Sequence, residues 1–236
     1  MDILELLKVM VEKDSSDLYL TVACPPMYRI EGEIQPIGSD TFAPADMEAL
    51  ARSVMNDDQW RQFDQQMEMN LALSYPKLAR FRVNAFRQRG SVGMVIRKIK
   101  VDIQSIDELG VPAILKDIIM TKRGLILVVG GTGTGKSTTL AAMIDHRNTN
   151  SSGHIISIED PIEFVHRHKK SIVNQREVGF DTLSFQEALR NAMRQAPDVI
   201  LIGEIRDTET MEAPVTFADT GHLCLGTLHA TNSNQA

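Results

Sequence analysis

Gly130, Gly131, Thr132, Gly133, Thr134, Gly135, Lys136, Ser137 and Thr138 have the spacing of a phosphate-binding loop: glycine, four residues, then Gly-Lys-Ser. Each residue type has a chemical reason. Glycines let the backbone take positive φ and approach an anion closely, so that successive N–H groups converge on phosphate. A helix opening at the loop adds the partial positive charge of its N-terminus. Lys136 would reach the β- and γ-phosphates, the Ser137 hydroxyl would hold Mg2+, and Thr138 would touch the α-phosphate. The stretch implies a nucleoside triphosphate site.

Further candidates fall where apolar runs end. Glu204 closes the run Val199 to Ile202, where a carboxylate can polarise a Mg2+-bound water. Glu159, Asp160 and Glu163 follow another such run, and one of them could orient or deprotonate the attacking water. Nearness to the strand end favours Glu159, while a turn at Pro161 could swing Glu163 back over the nucleotide. The spacing leaves both open. His222 and His229 flank a third apolar run, and His229 at its carboxyl end could bond a γ-phosphate or a carboxylate. His166 and His168 stand in the basic string HRHKK, which reads as a solvated turn rather than a metal site. Phosphoryl transfer also needs positive charge, and Arg80, Arg82, Arg87, Arg89 and Arg97 supply it upstream. Taken singly, each arginine reads as surface.

The elements that must position these residues come in two styles. Leu125 to Val129 is a continuous apolar run suited to a strand buried on both faces, and Thr138 to Asp145 has helical period. From Leu109 onward strand and helix alternate, with strands at 154–158, 171–174, 198–202 and 222–228 and helices at 112–121, 184–195 and 208–219. That grammar predicts a parallel sheet with crossover helices, and ligands bind beyond the carboxyl ends of such strands. Before it, helices at 2–13, 45–56 and 57–66 mix with strands at 18–22, 27–30, 33–37, 71–75, 79–86 and 92–96, an α+β module. The expected organisation is an N-terminal domain 1–98, a linker 99–108 without clear period, and an α/β domain 109–236.

Composition narrows the function classes. A net charge of −6 over 236 residues argues against nucleic acid, which selects a basic face. Two cysteines, Cys24 and Cys224, stand in no metal or redox spacing and are expected to be buried in a reducing compartment. The longest apolar run is too short to span a bilayer, and the N-terminus lacks a basic leader, so a cytoplasmic protein reaching membranes only through partners is expected.

With these residues assembled, the chain resembles the secretion ATPases, and most closely the type IV pilus retraction ATPases of the PilT/PilU type. The resemblance rests on GGTGTGKST at 130–138, IEDPIEFVH at 158–166, VNQREVG at 173–179, ALRNAMRQAPDVILIGEIRD at 188–207, TGHLCLGTLHAT at 220–231 and ARFRVNAFRQRG at 79–90. The loop and the HRHKK segment look more like the PilU branch. The resemblance implies a PAS-like N-terminal domain joined to a RecA-like P-loop ATPase core, assembled as a homo-hexamer when full length. It implies ATP and Mg2+ as ligands, Glu163 as general base, Glu204 as the second acid, His222 and His229 as paired histidines, and Arg82 and Arg97 as phosphate sensors. The implied partners are a companion retraction ATPase and an inner-membrane pilus platform protein, with hydrolysis driving pilus retraction. The resemblance also leads to the expectation of a core incomplete at its C-terminus, since the family's pattern continues past Ala236 with further strands and a helical region.

Overall fold

The computed structural model describes residues 2–230, and the chain divides between Ile99 and Lys100 into two compact units. In the first, α1 (Ile3–Glu12) buries Ile3, Leu6, Leu7 and Met10 along one stripe. After β1 (Asp17–Leu20), the strands β2 (Met27–Ile30) and β3 (Glu33–Pro36) form the expected hairpin, with Gly32 at φ 89° in its turn. Helices α2 (Pro44–Val54) and α3 (Asp57–Gln66) come next. Asn56 caps the second of these: its side chain accepts from the Gln59 amide while the Gln59 side chain accepts from its own.

The strands β4 (Glu68–Tyr75), β5 (Ala79–Gln88) and β6 (Ser91–Ile99) complete a six-stranded antiparallel sheet ordered β3-β2-β1-β6-β5-β4. Along β5, Phe81, Val83 and Ala85 are buried while Arg80, Arg82 and Asn84 between them are half-exposed. That is the period-two alternation of a sheet with one core face. Register places Arg29, Asp17, Arg97 and Arg82 opposite one another on four successive strands. Asp17 is only 4% exposed and accepts from Arg97 Nε at 2.7 Å, with Arg29 Nε at 3.6 Å.

The second unit begins at Lys100. Residues 100–108, expected to be a linker, are part of its packing: Lys100 forms a β-bridge with Phe164, and Ile106 is buried in the core. Helix α4 (Ile114–Ile119) precedes a five-stranded parallel sheet of β7 (Gly124–Val129), β8 (His154–Glu159), β9 (Ile172–Glu177), β10 (Val199–Ile202) and β11 (Leu223–Leu228). The spatial order is β7-β11-β10-β8-β9. The connecting helices are α5 (Lys136–Asn150), α6 (Phe185–Ala192), which a short 3-10 turn at Met193–Gln195 extends, and α7 (Thr208–Asp219).

Strand residues alternate between two cores, as a sheet covered on both faces requires. Ile155, Val199, Leu201, Leu223 and Leu225 pack with Leu140, Met143 and Ile144 of α5 and Ile119 of α4. Ile156, Ile158, Ile200, Ile202 and Cys224 pack with Ala188 and Leu189 of α6 and Phe217 of α7. Cys224 is buried as expected, whereas Cys24 is only partly so. Among the described residues no helix is long and apolar enough to cross a membrane.

Candidate active site

The glycine loop leaves β7 at Val129 and enters α5 at Lys136. Gly133 and Gly135 have φ of 78° and 89°, a region costly for residues carrying Cβ, so the turn needs glycine at both. Lys136 is 8% exposed, and its ammonium donates to the carbonyls of Gly130 at 2.9 Å and Gly131 at 2.8 Å. Thr134 Oγ1 donates to Gly131 O at 2.9 Å, bracing the loop from within.

Because the strands are parallel and in register, Ile158 of β8, Ile202 of β10 and Gly226 of β11 align, and the residues after them emerge at one sheet edge. Thr132, Lys136, Ser137, Thr138, Glu159, Asp160, Glu163, His166, Glu204 and His229 line a single cavity of about 290 Å3 there. Ser137 Oγ donates to Glu163 Oε1 at 3.1 Å. Glu204 Oε2 accepts from Arg206 Nε at 2.7 Å, and its Oε1 lies 3.3 Å from His229 Nε2. Arg206 Nη1 also reaches Asp160 Oδ2 at 3.3 Å, tying the acids of two strand ends together.

Glu159 is held differently from the other acids. Its Oε1 accepts from Ser157 Oγ at 2.5 Å and from Gln175 Nε2 at 3.1 Å. Burial pushes its carboxyl up to about 7 against those bonds, and the Glu163 and Glu177 carboxylates add to the rise. Its backbone packs so close to the end of β10 that a Cβ at Gly203 would sit 3.0 Å from Glu159 Cα, a tight contact that glycine relieves.

The residues fit a magnesium nucleotide. A buried ammonium beside a positive-φ glycine turn suits phosphate. The hydroxyl of Ser137 with the Glu163 carboxylate beside it is a set of hard oxygen donors, the kind Mg2+ takes. Glu204, expected to share that role, is engaged by Arg206 and His229 and not by Ser137.

Two expectations need correction. His222 does not join this cavity: it precedes β11 at the amino end, where its Nδ1 lies 3.2 Å from Phe217 O, a strand's length (about 20 Å) from His229. His166 is not in a solvated turn: it is 7% exposed, lines the cavity, and its Nδ1 has no hydrogen-bond partner among the described residues. Burial lowers its pKa to about 4, so the ring is neutral at pH 7. His168 is exposed and accepts at Nδ1 from the Val173 amide. Arg82 and Arg97 belong to the first unit, in its cross-strand row with Asp17 and Arg29. Arg206, which pairs two of the acids, was not singled out in the sequence, although its place two residues after Glu204 was available as a signal.

A parallel sheet covered by helices on both faces, with a glycine loop opening the helix after its first strand, defines an α/β protein of the RecA-like class. The chain belongs to the type II/IV secretion system protein family, whose model matches residues 3–236. It is 54% identical over 236 residues to the type IV pilus ATPase PilU of Pseudomonas aeruginosa, matching all of this chain and 62% of that protein. It is 48% identical over 233 residues to the type IV pilus retraction ATPase PilT of the same organism, covering 99% of this chain and 68% of that one. The crystal structure of the pilus retraction motor PilT with bound ADP superposes with a TM-score of 0.90 at 46% identity, covering 98% of this chain and 67% of that one. The chain thus spans about three-fifths to two-thirds of the length of these relatives.

Proposed function

We propose that this chain carries the nucleotide site of a P-loop ATPase that powers type IV pilus retraction as a cytoplasmic homo-hexamer at the inner-membrane face of the pilus machine. The observation that carries the reading is one cavity lined together by Lys136, Ser137, Glu163, Glu204 and His229. The relatives named for pilus retraction support its biological setting.

In this reading Lys136 exchanges its two loop carbonyls for phosphate oxygens, a swap of neutral acceptors for charged ones that strengthens each bond. The Ser137 hydroxyl would hold the magnesium that comes with ATP, which would supply positive charge against the phosphates. Glu163 accepts the proton of the attacking water. Glu204 is held by Arg206 on one oxygen and His229 on the other, so the state of the nucleotide is passed from strand end to strand end. Arg82 and Arg97 contribute positive charge from the N-terminal unit. A companion retraction ATPase and a membrane platform protein are the partners.

In the full-length protein Lys136→Ala should abolish ATP binding, and Glu204→Ala should abolish turnover while binding persists. Phosphate release at the wild-type rate by both variants would refute the site. Release measured with and without a companion retraction ATPase tells a self-sufficient motor from a dependent subunit.

A further inference from the structure

The loop Asp160–His166, which carries Glu163, has no helix or strand of its own to hold it. One side chain grips it where it returns. Gln175, on β9, donates through Nε2 to Phe164 O at 2.8 Å, on the residue after Glu163. Its Oε1 accepts from the His166 amide at 2.8 Å. The same Nε2 donates to Glu159 Oε1 at 3.1 Å, where β8 ends and the loop begins. A single carboxamide therefore bonds the loop's root and both residues that frame Val165.

We propose that Gln175 is the positioning residue of the general base: it fixes the Phe164–His166 backbone so that Glu163 stays within reach of Ser137 and the reacting phosphate. This rests on Glu163 being the base. Glutamine suits the task because a carboxamide offers donor and acceptor from one planar end whatever the pH. Glutamate at 175 would present a second acceptor to Phe164 O and to Glu159. Asparagine is one methylene short of spanning both sides of the loop. The remaining ties do not substitute for it. The Val165 amide donates to Lys100 O at 2.9 Å and the Ile162 amide to Glu177 Oε2 at 3.3 Å, so the loop stays folded without Gln175 but loses the bonds on either side of Val165.

The test is a double-mutant cycle in the full-length protein with Gln175→Met, Glu163→Gln and both together, reading kcat and the affinity for ADP. Misplacing a catalytic group by about 1 Å costs on the order of 100-fold, and loss of a supporting residue roughly 10- to 100-fold. Gln175→Met should therefore lower kcat roughly 10- to 100-fold and leave ADP affinity within about twofold. In the Glu163→Gln background it should have no further effect on kcat, since there is no base left to position. A merely structural residue would lower kcat by the same factor in both backgrounds, and that additivity would overturn the proposal. Glu163→Gln turning over at the wild-type rate would instead remove the base assignment and the proposal with it. If the methionine variant fails to bind ADP, Gln175→Asn, which keeps a carboxamide on the strand, takes its place in the cycle. Non-additivity with Glu163→Gln then supports the positioning role, and additivity overturns it.

Discussion

Replacing Glu159 with glutamine should stabilise the second unit at alkaline pH and change it little in acid. In the unfolded chain the carboxyl ionises near 4.5, while in the fold burial holds its proton to about 7. Between those values the unfolded chain is ionised and the folded one is not, so raising the pH favours unfolding. The stability is complete below the unfolded value and is lost as pH climbs through the folded one. Two and a half pH units at about 1.4 kcal/mol each set a ceiling of roughly 3 kcal/mol on that loss. Glutamine mimics the protonated acid, and its oxygen can still accept from Ser157 and Gln175 as Glu159 Oε1 does. The variant's advantage over the parent should therefore grow from under about 1 kcal/mol at pH 5 to roughly 1.5–3 kcal/mol at pH 8. Urea unfolding of the nucleotide-free protein would read this, with hydrogen exchange of the β8 amides assigning the change to the second unit. A difference between variant and parent that stays constant across this pH range, or a less stable variant at pH 8, would refute the reasoning.

His166 should act in the opposite direction. Its ring resists protonation down to about 4, so stability is lost as pH falls from about 6.5 through that value, and His166→Phe should move the acid unfolding midpoint to lower pH. Arg147, buried in α5, donates from Nη1 to Ile119 O at 2.6 Å and Thr121 O at 2.8 Å, closing the end of α4. Arg147→Met should cost the second unit about 2–4 kcal/mol in urea unfolding, with ADP affinity in the surviving fold unchanged. Asp17→Asn removes the carboxylate between Arg97 and Arg29 and should destabilise the first unit by about 1–3 kcal/mol. Trp60, the one tryptophan of the chain, lies against Phe63 in that unit, ring centroids 5.6 Å apart, so its fluorescence reports this loss separately from the second unit.

The parts of the fold that show in the sequence are those set by local chemistry. The runs before Gly130, Glu159, Gly203 and His229 are apolar because their strands are covered on both faces, and all four were found as strands. The alternation of β5 was equally plain. What was hidden depended on distant partners. Helix α5 runs five residues past Asp145 because Arg147 and Asn148 bury their polar ends against α4 and the Arg167–Ser171 segment, which no periodicity records. Residues 100–108 look aperiodic because they are held by scattered ties, the bridge at Lys100, the buried Ile106 and the Asp107–Lys116 pair, rather than by a repeating face. His166 was masked by the exposed Arg167, His168, Lys169 and Lys170 after it, and Gln175 by an unremarkable place in an edge strand.

The same distinction explains why the site could be half read. In a parallel sheet the end of an apolar run is a statement about position, since aligned strands deliver the next residues to one edge. Ile158, Ile202 and Gly226 are in register, and that alone puts Glu159, Glu204 and His229 at the same end of the sheet. A slip of one residue in β10 would send Ile202 to the α4–α5 face and strand its neighbours between two cores, so the apolar pattern itself enforces the alignment. Choosing between Glu159 and Glu163 is another kind of problem. It turns on the burial of Glu159, which raises its carboxyl against the bonds from Ser157 and Gln175, and on the open position of Glu163 beside the Ser137 hydroxyl. Strand ends gather the acids, and polar contacts between strands decide what each one does.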